Sequence, residues 1–172
     1  QNILFADVRT VADAEECVAA VRADSPETGG HHGSEDRRFS RYGAESGSEA
    51  YVQALEDVVI ALMIEKKEAV EDLEAILSVK GVDMVVFGPN DYSMSIGKPG
   101  QARGQEVQKA HEYVVQTALK LGVQPRPSIA FDDMERFLDM GVKHFCIGSD
   151  LGTIKRWAAE LAPAFWGKMG SG

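Results

Sequence analysis

The chain has 172 residues, 44% hydrophobic and 26% charged, a composition that suits one globular domain with a sizeable core and gives no reason to expect a second. Its formal net charge of −9 argues against nucleic acid or an anionic membrane surface as partner, because either is met by a basic patch. No apolar run reaches the length of a membrane span and the first residues lack the pattern of a signal peptide. Cys17 and Cys146 sit far apart inside apolar patterns, so buried thiols and a cytoplasmic location are expected.

Taken in order, Asn2 to Val8 reads as a buried strand, and the helix expected after it places Val11, Ala14, Val18 and Val21 on one face. From Asp24 to about Gly47 the periodicity is lost in a long segment rich in Gly, Ser and charge, and loops of that length tend to be functional or disordered. His31 and His32, with Glu35 and Asp36 nearby, offer metal-ligand chemistry, but adjacent histidines on a loop seldom converge on one ion. Arg37, Arg38 and Arg41 could meet an anionic substrate, a neighbouring subunit or only solvent. Ser48 is placed to cap a short helix that ends at Glu56.

Residues 58 to 64 form a continuous apolar run, short enough for a strand buried on both faces, and Glu65 ends it. KKEAVEDLEAILSV then predicts one amphipathic helix with Ala69, Val70, Leu73, Ile76 and Leu77 in its stripe, broken by Gly81. A second apolar run, Met84 to Phe87, leads into Gly88, Pro89, Asn90 and Asp91, followed by a connecting turn. A helix over residues 105 to 120 buries Val107, Ala110, Val114, Ala118 and Leu121, leaves His111 on the surface and stops at Gly122. VQPRPSIA is the next strand, although its two prolines cannot donate within a ladder. Asp132 to Met140 is a helix with Met134, Phe137 and Leu138 inward, and HFCIG is the last strand. Ser149 or Asp150 caps a final helix with Ile154, Trp157, Ala158, Leu161 and Phe165 on a wide apolar face.

Five strands, each followed by a helix, give an α/β fold with a parallel sheet; periodicity alone does not choose between a doubly wound sheet and a barrel. Parallel strands joined by a helix finish at the same edge, so Glu65 and Asp91 belong to one rim, with neighbouring strands about 5 Å apart. Two carboxylates with positions left for water and substrate suit Mg2+ or Mn2+ better than zinc. A structural alternative stands beside this: Asp91 caps the turn that follows, and Glu65 pairs with Lys66 or Lys67. Asp150 reads either as a cap or as a third rim carboxylate.

The stretch MIEKKEAVEDLEAILSVKGVDMVVFGPNDYSMSIG resembles the metal-binding core of the HpcH/HpaI (4-hydroxy-2-oxoheptanedioate aldolase) family, the class II pyruvate aldolases. The likeness is specific over this core and looser from Asn2 to about Trp166. It implies a TIM (β/α)8 barrel of the phosphoenolpyruvate/pyruvate type, of which this single domain, residues 1–172, would hold the fourth to eighth units. It further implies a divalent ion (Mg2+, Mn2+ or Co2+) on Glu65 and Asp91, and the backbone amides of Asn90 and Asp91, in the turn opened by Gly88 and Pro89, at the carboxylate of bound pyruvate. The implied chemistry is cleavage or formation of a carbon–carbon bond in a 2-oxo acid through a metal-stabilised pyruvate enolate, with an aldehyde as second partner. Homo-oligomers assembled through the last helices are implied too, and Trp157, Phe165 and Trp166 give this C-terminus aromatic surface for that purpose.

Three departures qualify the resemblance. The family's general-base histidine and pyruvate-binding arginine belong to its first three units and are expected before Gln1, so neither is located here. Met63 stands where the family commonly has a glutamine, which puts the acceptor aldehyde in question and leaves the metal pair intact. Arg126 stands where a glycine is expected near the pocket, and its guanidinium could grip a carboxylate or lie exposed at a strand start. Other chemistries remain on the list: a lyase acting on another 2-oxo or acyl substrate, or a non-catalytic half-barrel working through a partner chain. A Schiff-base aldolase is disfavoured, since Lys66 and Lys67 face the start of a helix.

Overall fold

In the structure, a computed structural model that describes residues 2–36, 38, 41–129 and 133–170, four strands form one parallel sheet in the order β1-β2-β3-β4. They are β1 (Asn2–Val8), β2 (Val59–Ile64), β3 (Met84–Phe87) and β4 (Gln124–Pro125). The fifth strand expected at HFCIG is reduced to a single parallel bridge between Ser128 and Cys146, held by hydrogen bonds from Cys146 N to Pro127 O and from Ile129 N to Cys146 O. Proline explains the shortness of β4: Pro125 and Pro127 remove alternate donors, so only Gln124 and Arg126 donate to β3, through the carbonyls of Asp83 and Val85.

Alternation sets which side chains meet the helices. Ile60, Leu62 and Ile64 of β2 and Val85 and Phe87 of β3 pack with Ala14 of α1 (Val11–Ala19) and with Val107, Val114 and Ala118 of α6 (Gln105–Leu121). Ala61, Met63 and Glu65 therefore fall on the opposite face, the side that becomes the interior when such a sheet closes. At the edge of the sheet β1 is mostly exposed, with Ile3 at 40% and Leu4 at 39%, contrary to the expectation of a buried strand. It has a neighbour on one side only.

The helices follow their caps. Thr10 and Asp13 form a reciprocal capping box on α1, and Ser48 Oγ accepts from Tyr51 N at the start of α2 (Glu49–Glu56). The single helix expected over residues 66–79 is instead two short ones, α3 (Lys67–Glu71) and α4 (Leu73–Leu77), interrupted at Asp72, whose ψ of 24° leaves the helical well. The stripe survives the break, because Ala69, Leu73, Ile76 and Leu77 are all buried. The predicted turn after Gly88 is a helix, α5 (Pro89–Ser95), with proline at its first position, where no amide hydrogen is needed. Gly122 ends α6 in the left-handed conformation (φ 80°), as its position predicts.

Three burial expectations reverse. His111 is 8% exposed, packed between Phe87 and Phe137, whereas Leu138 of α7 (Met134–Asp139) is 47% exposed and Leu121 37%. The last helix, α8 (Asp150–Met169), is capped by Ser149 and has no buried residue; Trp157, Phe165 and Trp166 are 63–70% exposed. Asp132 and Ala130, which bound predicted elements, lie outside the described residues. The segment from Asp24 is better ordered than a loop without periodicity suggests. Its backbone reaches the end of α1 through His31 N to Ala19 O and closes on the residues after it through His32 N to Arg22 O and Asp24 N to His32 O, and Tyr51 Oη donates to Gly33 O.

Candidate active site

The C-terminal edge of the sheet is built around an irregularity in β1. Phe5 pairs with Leu62, but Val8 pairs with Ile64, so β1 advances three residues while β2 advances two. The extra residue is accommodated at Asp7, which takes φ 60°, a left-handed conformation that aspartate tolerates better than most side chains. The bulge turns the Asp7 amide toward the neighbouring strand end, where it donates to Glu65 Oε1 at 2.9 Å. Glu65 is 6% exposed. Opposite it lies Gly88, where a β-carbon would stand 2.7 Å from both Cβ and Oε2 of Glu65; the glycine is needed there for space.

Around Glu65 the charges are arranged in a chain. Lys66 Nζ, on a side chain only 17% exposed, lies 3.1 Å from Asp7 Oδ1 and 4.0 Å from Asp91 Oδ1. Arg9 reaches Asp7 at 3.0 Å and Glu68 at 2.7 Å. The hydrogen bond from Lys66, with the positive charge of Arg9 beside it, holds the Asp7 carboxyl below its ordinary range. Neither structural alternative for the predicted pair is realised: Asp91 makes no cap, Lys67 pairs with Glu71, and among the described residues Glu65 has no cationic partner.

Gly88, Pro89, Asn90 and Asp91 open α5, and the amides of Asn90 and Asp91 belong to the first turn, where no intrahelical acceptor exists. Arg126 follows β4 directly; it is half-buried, its Nε has no hydrogen-bond partner among the described residues, and its charge helps the Ser128 hydrogen bond lower the pKa of the Cys146 thiol. The other predicted groups do not gather at this edge. His31 pairs with Glu16 at 3.5 Å, His32 faces Tyr51, Arg41 pairs with Glu45 at 3.0 Å, Arg38 lines a 680 Å³ cleft with Ile3 and Phe5, Asp150 lies in the first turn of α8 behind its Ser149 cap, and Arg37 lies outside the described residues. Sequence reasoning missed Asp7 and offered Lys66 as a partner of Glu65, whereas the structure pairs it with Asp7. The signal for Asp7 was available only as a polar residue near the end of an apolar strand.

The donor set fits an open oxygen site. Glu65 commits one oxygen to an amide and keeps the other beside Gly88, Asp91 is half-exposed, and among the described residues no group of three or more His, Cys, Asp or Glu side chains is placed to hold a metal ion, so the two carboxylates would leave its other positions to water or substrate.

The family description of HpcH/HpaI aldolase/citrate lyase matches residues 1–156. The chain belongs to this family. Among relatives of the HpcH/HpaI family, it is 32% identical over 166 residues to a 5-keto-4-deoxy-D-glucarate aldolase of Klebsiella pneumoniae, covering 95% of this chain and 63% of that protein. The structure of a HpcH/HpaI aldolase/citrate lyase family protein from Burkholderia cenocepacia superposes with a TM-score of 0.84 at 23% identity, over 95% of this chain and 64% of that one. That of a HpcH/HpaI aldolase from Desulfitobacterium hafniense does so with a TM-score of 0.78 at 26% identity, over 95% and 63%. The chain thus spans somewhat less than two thirds of the length of the HpcH/HpaI proteins it matches, and its parallel sheet is a partial barrel of their TIM-barrel-like fold.

Proposed function

We propose that this protein is a divalent-metal-dependent carbon–carbon lyase that cleaves or forms a bond in a 2-oxo acid of the pyruvate class, with Glu65 and Asp91 holding the ion. The observation that carries the reading is Glu65: a buried carboxylate at a strand rim, oriented by an amide and lacking a cationic partner among the described residues. Such a charge needs a counter-charge to be tolerated. A bound Mg2+, Mn2+ or Co2+ ion would supply Lewis acidity toward the carboxylate and ketone oxygens of the 2-oxo acid. The amides of Asn90 and Asp91 would bind the substrate carboxylate at the open helix turn, Gly88 and Pro89 shape the approach, and Arg126, with an unpartnered Nε, would take a second carboxylate. The aldolase activity of the Klebsiella pneumoniae relative on a keto-deoxy-glucarate supports a sugar-acid-derived substrate with an aldehyde product.

The same reading assigns β1 to β4 and the bridged segment at Cys146 to the fourth through eighth units of an eight-unit barrel, within one domain over residues 1–172. The uncovered aromatic surface of α8 supports a homo-oligomer, and the free thiols of Cys17 and Cys146 support the cytoplasm. No described helix is long and apolar enough to cross a membrane. Deuterium exchange into the methyl group of pyruvate, followed by NMR with and without Mn2+, tests the function. Metal-dependent exchange that is lost in Glu65→Gln is the expected result; absence of exchange, or exchange indifferent to Glu65, would remove the proposal.

A further inference from the structure

We propose that Asp7 is a positioning residue for this metal site: its amide orients Glu65, and its carboxylate holds the Lys66 ammonium away from Asp91. The inference rests on the metal reading of Glu65 and Asp91. Two independent contacts lead to it. Through the bulge in β1, the Asp7 amide reaches Glu65 Oε1 at 2.9 Å, which fixes the rotation of the carboxylate that would face the ion. Through its side chain, Asp7 takes the Lys66 ammonium at 3.1 Å, and this leaves Asp91 Oδ1 at 4.0 Å from the same nitrogen.

That difference matters because a lysine ammonium and a divalent ion compete for the same carboxylate. Lys66 follows Glu65 directly, and its flexible four-carbon stem allows the nitrogen, 4.0 Å away, to move by a little over about 1 Å into full contact with Asp91. Asp7 opposes that move. Arg9 holds the same Asp7 oxygen at 3.0 Å while its other nitrogen is tied to Glu68 at 2.7 Å, so Asp7 is fixed in place between two cations as it restrains Lys66. The left-handed backbone of Asp7 is then the conformation that lets one residue serve both carboxylates, its amide facing one and its side chain restraining the competitor of the other.

Asparagine also tolerates φ near 60°, keeps the amide to Glu65 and removes only the charge. Titration calorimetry with Mn2+ on the wild type, Asp7→Asn, Lys66→Gln and the double variant separates the parts. Asp7→Asn is expected to bind Mn2+ about tenfold more weakly when Lys66 is present, but no more than about twofold more weakly in the Lys66→Gln background, because the liberated competitor is then gone. Asp7→Gly, which adopts the same φ freely, is expected to repeat the pattern and covers the case in which Asp7→Asn fails to fold. An equal loss in both backgrounds overturns the role assigned to Asp7, since mere loss of a nearby negative charge does not depend on Lys66. Glu65→Gln in the same titration distinguishes the two levels: if the wild type binds no Mn2+, or Glu65→Gln binds it unchanged, the metal reading fails and this inference fails with it. If the wild type binds and Glu65→Gln does not, an equal loss on Asp7→Asn in both backgrounds sinks only the positioning role.

Discussion

The two edges of the sheet each hold a long basic side chain among oxygens, and they use it in opposite ways. At the N-terminal edge Arg22, 8% exposed, directs Nη1 to the carbonyls of Leu55 (2.7 Å), Glu56 (3.1 Å) and Val58 (3.1 Å) and lies 3.9 Å from the carboxylates of Glu56 and Asp83. Asp83 in turn accepts from Ile60 N at 2.8 Å, so the entry to β2 and the entry to β3 are tied together. At the C-terminal edge the Lys66 ammonium rests on Asp7 at 3.1 Å and stands 4.0 Å from Asp91, which stays half-exposed. A planar guanidinium with fixed donors closes the first edge; a point charge on a loose stem leaves the second able to exchange partners. In barrels of this kind the N-terminal face carries stability and the C-terminal face carries chemistry, and these two side chains show the division at the level of single contacts.

The comparison can be broken most forcefully at Arg22. Arg22→Met strands three carbonyls and takes the nearby cation from the carboxylates of Glu56 and Asp83, and a loss of about 4 kcal/mol in denaturant unfolding is expected, with Mn2+ affinity of the surviving folded protein unchanged. A loss under about 1 kcal/mol would mean that the edge is not sealed by this residue.

His111 tests the support behind the upper edge, because it stacks on Phe87, the residue before Gly88, and touches Phe137. Burial, with the positive charge of Arg136 nearby, pushes its pKa down to about 4, below the value of an unfolded histidine. Between the two values the unfolded chain binds the extra proton, so stability is unaffected above about pH 7 and falls as pH drops. Urea titrations at pH 7.5 and pH 5 should differ by about 2 kcal/mol from this residue, and His111→Phe should remove that part of the slope. An unchanged slope in the variant would show that the imidazole is not kept neutral by its burial.

Gly88→Ala is the smallest of the three effects and the most local. Gly88 has an ordinary negative φ of −101°, so only the added β-carbon, 2.7 Å from both Cβ and Oε2 of Glu65, is at issue. Mn2+ affinity should fall about tenfold while unfolding changes by about 1 to 2 kcal/mol, since the Glu65 β-carbon as well as its carboxylate must give way. The reverse pattern, lost stability with intact binding, would move Gly88 from the site to the scaffold.

Much of the framework was legible because it is written in short-range terms. The apolar run before Glu65, the run before Gly88 and the stripe of α6 are periodic features, and periodicity reports which face is buried whatever the neighbours are. The Glu65 and Asp91 pair could be placed on one rim because a helix between two parallel strands returns the chain to the same edge. HFCIG was read as a strand on its composition, but pairing depends on a partner, and Pro125 and Pro127 leave little ladder to join. His111 was read as exposed because a polar residue in a helix usually is; only the approach of α7 put Phe137 over it.

By itself, then, the order of residues determined the alternation of strands and helices, the family, and the two carboxylates at one edge, since each follows from local pattern or from a contiguous motif. The tertiary structure alone decided that β1 bulges at Asp7, that the Asp7 amide serves Glu65, that Lys66 rests nearer Asp7 than Asp91, and that Arg22 seals the opposite edge. These contacts join residues up to 59 positions apart, and their geometry depends on the register between neighbouring strands. A one-residue slip in that register would have sent the same side chains to the other face.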